Sequence, residues 1–292
     1  TCESLRIGVG HDSRVTAAAL KKAILSGVLA AGAQAFDCAM ASTPAMFCAT
    51  VYSETNFDGT VMITASHLPM ERNGMKLFDR DGGFDKPDIK AVLKAAGEAA
   101  EQYSGKPAQP LDLIGLYSAD LCEKIKRGVA AADYNRPLAG LHVVLDAGNG
   151  AGGFFAEKVL LPLGANISGS QFLEPDGTFP NHMPNPENKA AMASVRAATL
   201  KNNADLGIIF DTDVDRMSAV LPNGEEVNRD AIIAMMAAVL APDYPGATVV
   251  TDSVTSDRLT KFLENELGMR HHRFKRGYKN VINEAIRLNK AG

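Results

Sequence analysis

The chain has 292 residues, 46% of them hydrophobic and 22% charged, and carries a formal net charge of -4. That length exceeds one ordinary domain, so two or more folded units are expected. The acidic balance argues against a nucleic-acid-binding surface, and no apolar run reaches the roughly 18 residues of a membrane-spanning helix.

In chain order, residues 5–10 read as a buried strand, followed by the polar turn His11-Asp12-Ser13-Arg14 and a helix over 15–31 that Gly32 stops. Val61-Met62-Ile63-Thr64 is an apolar strand that displays the loop Ala65-Ser66-His67-Leu68-Pro69. The strand-turn-helix unit returns at 141–145, with the turn Asp146-Ala147-Gly148-Asn149-Gly150 and a helix over 152–161. Leu206-Gly207-Ile208-Ile209-Phe210 is a buried strand, and residues 231–240 read as a core helix because they are apolar nearly all round. A third copy begins at 248–250, turns through Asp252-Ser253-Val254 and enters a helix over 257–267. Second strands are expected after Gly32-Ala33, Gly164-Ala165 and Gly268-Met269.

This alternation predicts repeated α/β domains with largely parallel pairing. Its repeat is too long for a solenoid, whose period is roughly 20–50 residues. Two Pro- and Gly-rich linkers, 103–110 and 241–246, divide the chain into 1–108, 109–243 and 244–292. The last segment is short for a comparable domain and is expected to be truncated. The chain starts at Thr1 without a targeting segment, so it is expected to be processed or a piece of something longer. Cys2, Cys38, Cys48 and Cys122 fall at no metal-ligand or redox spacing and are expected to be reduced, buried thiols of a cytoplasmic protein, with an organelle stroma as the alternative.

Two segments carry chemistry. Ser66 follows a strand end, where ligands gather in open α/β sheets. A lone serine needs a base or an electrophilic setting, for which His67 and Lys76 are candidates. No Gly-x-Ser-x-Gly elbow surrounds it, which disfavours a hydrolase. Asp211-Thr212-Asp213-Val214-Asp215-Arg216 places three carboxylates in five residues, on one face if the segment is extended. At about 5 Å and an effective dielectric near 20, each pair repels by roughly 3 kcal/mol. Such an all-oxygen cluster asks for Mg²⁺ or Ca²⁺. Arg216 at the sixth loop position and Pro222 at the twelfth exclude an EF-hand. A phosphate on Ser66 would become tolerable, and electrophilic, with a cation between it and these aspartates. Arg216 and the basic run Lys275-Arg276-Gly277-Tyr278-Lys279 could hold a substrate phosphate.

The joint pattern resembles the α-D-phosphohexomutase superfamily, the phosphoglucomutase/phosphomannomutase enzymes, over essentially the whole chain. Residues 65–69 resemble its phosphoserine loop, and 211–216 its magnesium loop. Gly10-His11-Asp12-Ser13-Arg14, residues 146–152 and Pro175-Asp176-Gly177-Thr178-Phe179-Pro180-Asn181-His182 match in order and spacing. The resemblance implies mixed-sheet α/β domains of the phosphohexomutase type, two complete and a third truncated. It also implies interconversion of hexose 1-phosphate and hexose 6-phosphate through phosphoserine, with Mg²⁺ and a hexose 1,6-bisphosphate as intermediate and activator. Ser66 would be phosphorylated; Asp211, Asp213, Asp215 and the Ser66 phosphate would hold the metal. His67 would support the serine and Lys76 would be the general acid/base, with Arg216, Lys275 and Lys279 contacting substrate. Leu68, Thr212 and His11 depart from the commoner Asn, Gly and Arg, while the reactive atoms are retained. The family's N-terminal catalytic arginine would precede Thr1, and its sugar-recognition and phosphate-binding loops would follow Gly292. The expected partner is a small sugar phosphate, without nucleic acid or membrane, bound by a monomer or homodimer. The rivals are a non-catalytic sugar-phosphate-binding or regulatory protein and a metal-dependent phosphatase, the latter leaving Ser66 without a role.

Among lesser features, residues 146–153 are expected to serve close strand–helix packing, since they lack P-loop spacing. Asp12 and Arg14 are expected to form a structural ion pair or turn, with a supporting active-site role as the alternative, and His271-His272 a surface pair.

Overall fold

The computed structural model describes residues 4–99 and 103–291; Cys2 lies outside them. It forms two compact units, Thr1–Glu226 and Val227–Gly292.

The first unit opens with a six-stranded mixed sheet in the order β5-β4-β3-β1-β2-β6. Its strands are β1 (Arg6–His11), β2 (Gln34–Met40), β3 (Gly59–Ile63), β4 (Met75–Asp79), β5 (Gly82–Gly83) and β6 (Gln109–Pro110). β3, β1, β2 and β6 run parallel, β4 pairs antiparallel to β3, and β5 pairs antiparallel to β4. Helix α1 (Ala17–Ala30) covers one face, where Ala17 and Leu25 meet Val9, Val61 and Ile63. Gly32 at φ 88 ends that helix in a conformation other residues resist. On the other face, α2 (Thr43–Val51) and α4 (Leu113–Val129) bury Met46 and Leu113 against Phe36, Phe57 and Met62. The α2 start is written in the sequence: Ser42 accepts from Ala45 N at 3.2 Å and Pro44 follows within the first turn. Helix α3 (Lys86–Glu98) buries none of its residues.

The same unit continues with β7 (Val143–Asp146), β8 (Leu206–Phe210) and β9 (Met217–Val220), in the order β7-β8-β9. Helix α5 (Lys189–Lys201), capped by Asn188, packs Val195 and Ala198 on one face of this sheet. The other face is covered by a helical stretch that starts with a 3-10 turn, Ala151–Gly153, and ends in a π-helical one, Ala156–Leu160. The strand expected after Gly164-Ala165 is reduced to two isolated parallel bridges, His142 to Asn166 and Asp146 to Gln171. Residues 146–153 do serve close packing: a Cβ on Gly150 would stand 2.7 Å from the Thr212 carbonyl oxygen.

In the second unit α6 (Arg229–Leu240) accompanies β10 (Thr248–Asp252), α7 (Asp257–Lys261), a π-helical turn (Phe262–Glu266), β11 (Arg270–Phe274) and α8 (Tyr278–Ala291). β10 and β11 pair in parallel. Ile233, Ala234 and Ala237 of α6 pack with Leu259, Leu263 and Met269, which is why this helix groups with the residues after the 241–246 linker. The core-helix expectation for 231–240 is corrected: Ala237 is its buried residue, and Met235, Met236, Val239 and Leu240 are exposed. The helix touches the core along one narrow stripe only. His271 and His272 are half-buried instead of forming a surface pair. His271 bonds the hydroxyls of Thr251 and Thr260, and His272 bonds Glu284. Cys38 is buried, but Cys48 and Cys122 are only half-buried; all three are free thiols. Among the described residues no helix is long and apolar enough to cross a membrane.

Candidate functional site

The site forms within the first unit, from the loop after β3 and the loop after β8. The β3 loop leaves the sheet at Thr64, whose hydroxyl accepts from Ser66 N at 2.8 Å. Ser66 sits at φ 52, a left-handed conformation costly for a residue with a Cβ. Arg14 pins the loop. Its guanidinium donates to the carbonyls of Ser66 (2.6 Å), Leu68 (2.7 Å), Pro69 (2.7 Å) and Arg72 (2.9 Å), and its Nε to Asp12 Oδ2 at 3.3 Å. All five guanidinium N–H groups are thereby used. Asp12 and Arg14 thus pair as expected, but Arg14 does more: it fixes the shape of the serine loop.

The β8 loop is a tight turn, with Val214 at φ 63, so the condition of an extended 211–215 is not met. The turn forms because Asp211 folds the chain around itself: its Oδ1 accepts from Asp215 N and Arg216 N, each at 3.1 Å. The three carboxylates still converge, one oxygen from each lying within 4.8 Å of the others. Asp211 and Asp213 are fully buried. Thr43, at the start of α2, reaches the same loop: its N donates to Asp213 O at 2.8 Å and its Oγ1 to Asp213 Oδ2 at 2.5 Å.

The two loops meet at Ser66, whose Oγ is 3.0 Å from Asp211 Oδ2 and accepts from Arg216 Nη2 at 2.5 Å. Arg216 Nη2 also faces His67 Nδ1, and its Nε lies 3.4 Å from Asp211 Oδ2. Lys76, projecting from β4, donates to Asp213 Oδ2 at 2.6 Å and Asp215 Oδ2 at 2.7 Å. Ser66, His67, Lys76, Asp211, Asp213, Asp215 and Arg216 are therefore brought together. Lys275 and Lys279 belong to the second unit, where Lys275 is exposed, its Nζ 5.9 Å from the centre of the Phe274 ring.

The electrostatics follow from crowding. Burial, then repulsion from Asp213 and Asp215, pushes the Asp211 carboxyl up to about 8. Burial opposes ionisation of Asp215 as well, but the Lys76 ammonium outweighs it and holds that carboxyl below the usual range. Lys76 loses solvation too, yet Asp213 and Asp215 more than compensate and raise it above an ordinary lysine. His67 is lowered by burial and by the Arg216 charge, so it is neutral at pH 7. Three carboxyl groups, of which Asp211 keeps its proton up to about pH 8, thus face two cationic side chains. Asp213 Oδ1 is buried without a hydrogen-bond partner, an arrangement that costs free energy unless a cation satisfies it. The donor set, all oxygen, suits a hard divalent ion.

Sequence reasoning missed Thr43 and the bridging role of residues 172–184. Gly177 packs against Ser13 O (2.4 Å from a Cβ placed there), and Phe179 lies 5.4 Å from the Arg14 guanidinium. The available signal for Thr43 was Ser42-Thr43-Pro44, a helix start at the C-terminal end of β2, where ligands collect.

Residues 2–104 match the family description phosphoglucomutase/phosphomannomutase, alpha/beta/alpha domain I, and residues 119–224 match alpha/beta/alpha domain II. The chain is 32% identical over 257 residues to a phosphoglucomutase of Neisseria gonorrhoeae, covering 87% of this chain and 53% of that protein. It is 34% identical over 259 residues to a phosphoglucomutase/phosphomannomutase of Thermococcus kodakarensis, covering 86% and 54% respectively. The crystal structure of a phosphoglucomutase/phosphomannomutase family protein from Burkholderia thailandensis superposes with a TM-score of 0.82 at 25% identity, over 98% of this chain and 61% of that one. The chain spans about half the length of the curated relatives it matches.

Proposed function

Because this chain belongs to the phosphoglucomutase/phosphomannomutase family, we propose that it serves the interconversion of hexose 1-phosphates and hexose 6-phosphates, with Ser66 as the phosphoryl carrier. The observation that carries this is the meeting of Ser66 Oγ with Asp211 Oδ2 and Arg216 Nη2 at the mouth of a three-carboxylate cluster. Asp211, Asp213 and Asp215, with an oxygen of the Ser66 phosphate, would hold Mg²⁺, which when bound neutralises the carboxylates and draws charge from the phosphoryl group.

The chain's own residues do the rest. In the forward transfer a sugar hydroxyl attacks phosphorus, the bond to Ser66 Oγ breaks, and the hydroxyl proton ends on that oxygen. Lys76 is the relay: its ammonium starts protonated, gives a proton to the departing Ser66 oxygen and regains one from the sugar. The resulting hexose 1,6-bisphosphate returns its other phosphoryl group by the reverse path. Arg216 balances charge on the phosphoryl oxygens, and neutral His67 holds Arg216 in place without adding a competing charge. Lys275 and Lys279 are assigned to the substrate's non-reacting phosphate. The free thiols suit a reducing compartment such as the cytoplasm.

Intact-mass measurement tests the assignment. Incubation with Mg²⁺ and a hexose 1,6-bisphosphate should add one phosphoryl group to the wild type and none to Ser66→Ala; equal labelling of both would overturn it.

A further inference from the structure

Residues 172–184 loop out from Asp146 to Arg14 and back, with Phe172 and His182 packed together at the base and Gly177 and Phe179 at the tip, and base and tip are held differently. At the base, His182 is 4% exposed in its side chain and sits on Asp146, which is fully buried at the end of β7. His182 Nε2 lies 3.0 Å from each Asp146 oxygen, and its Nδ1 lies 3.1 Å from Met183 O. Each ring nitrogen therefore faces an oxygen that has no proton to give. A neutral imidazole has one N–H and one lone pair, so it can satisfy only one of these contacts; an imidazolium satisfies both. Asp146 is the charged group that faces the ring. Phe172 packs edge-on against it at 5.4 Å, and Gln171 Nε2 and Gly148 N complete the Asp146 shell at 2.7 and 2.9 Å. Burial works against the charged ring, but Asp146 overcomes it and raises His182 above an ordinary histidine.

The base is joined to the carboxylate loop. Asn181 donates to Asn149 Oδ1, Asn149 donates to Glu174 O, and Ala151 N donates to Thr212 O, each at 2.8 Å. The tip is wedged: Phe179 is buried at φ 50 over Arg14, and Gly177 abuts the backbone of residues 13–15. Phe172 also sits at positive φ, 53, so two aromatic residues of the segment hold a conformation that persists only when the surroundings impose it.

We propose that His182 is a positioning residue: as an imidazolium on Asp146 it locks residues 172–184 as a brace, which sets Arg14, and through Arg14 the backbone of Ser66, relative to the carboxylate loop. Loss of its proton leaves one ring nitrogen facing an oxygen lone pair and loosens the brace. This deepens the reading of Ser66 as phosphoryl carrier and rests on it for its functional meaning. The coupling itself does not depend on that reading.

The test uses the 292-residue chain without added metal. Nitrogen-15 NMR should show both His182 ring nitrogens protonated below its midpoint, and that midpoint should lie above that of a free histidine, near 6.5. The Ser66 amide and Arg14 Nε–H signals should shift with the same midpoint, and Arg14 Nε–H exchange should quicken roughly tenfold across it. In His182→Gln that shared transition should vanish. In Phe179→Leu, His182 should still titrate while the Arg14 and Ser66 responses shrink. A His182 midpoint at or below that of a free histidine, or a titration that Arg14 and Ser66 do not follow, would overturn the proposal; the wild-type titration decides this even if a variant fails to fold. Phosphoryl uptake by Ser66 from a hexose 1,6-bisphosphate, followed against pH, supplies the functional arm. Its rate should fall with the His182 midpoint in wild type and lose that limb in His182→Gln. Absence of uptake at any pH would sink the phosphoserine reading and leave the NMR coupling to stand or fall alone.

Discussion

Replacing Arg14 by lysine keeps the charge and removes the fork, and the structure says what that should cost. Arg14 is 2% exposed and spends all five N–H groups, four on backbone carbonyls of the serine loop and one on Asp12. An ammonium has three donors, so at least two acceptors lose their partner. Each buried acceptor left unsatisfied costs about 1–3 kcal/mol. Arg14→Lys should therefore destabilise the first unit by roughly 2–6 kcal/mol. For a unit of this size the melting transition should drop by roughly 4–24 °C. Thermal unfolding followed by circular dichroism measures it. Ser66 should also take up phosphate more slowly, because its left-handed backbone is held by the lost contacts. A variant with unchanged melting and unchanged uptake would refute the clamp.

Other outcomes follow from the charge cluster. Asp211 titrates near 8 in the fold against about 3.9 when exposed, so the folded state holds its proton over that interval. Its contribution to stability therefore falls as pH rises from about 4 to 8 in the metal-free protein. Mg²⁺ must displace that proton, so affinity should climb by up to about tenfold per pH unit below 8 and then level off. Calorimetry across pH should show this, and Asp211→Asn should flatten the slope; a flat wild-type profile would contradict it. Lys76→Met should remove the cation shared by Asp213 and Asp215, lowering metal-free stability by about 1–3 kcal/mol. It should also slow phosphoryl transfer by about a hundredfold or more if Lys76 relays the proton. Urea unfolding and single-turnover kinetics separate the two effects.

Much of this was legible in the sequence because the relevant signals are local. The strand before Ser66 and the strand before Asp211 are short apolar runs ending in polar loops, and Gly32 and Gly268 mark stops at positive φ. What failed depended on features that hydrophobic periodicity does not encode. A strand is expected after Gly164-Ala165, but Gly169 at φ 84 and the polar Asn166, Ser168 and Ser170 leave only two bridges. The aspartates would share a face in an extended segment, whereas Asp211 accepts the backbone N–H groups of 215 and 216 and coils the loop. Periodicity carries no information on either. Nor could it show Arg14 reaching carbonyls more than fifty residues away, or Thr43 touching Asp213.

The most direct measurement is pulsed electron paramagnetic resonance of the chain loaded with Mn²⁺ after phosphorylation by a hexose 1,6-bisphosphate. A phosphate on Ser66 that completes the Asp211, Asp213 and Asp215 site should give a strong phosphorus-31 coupling, absent in Ser66→Ala and in unphosphorylated protein. Manganese bound at the aspartates with no phosphorus coupling, in a chain shown by mass to carry phosphate, would contradict the account.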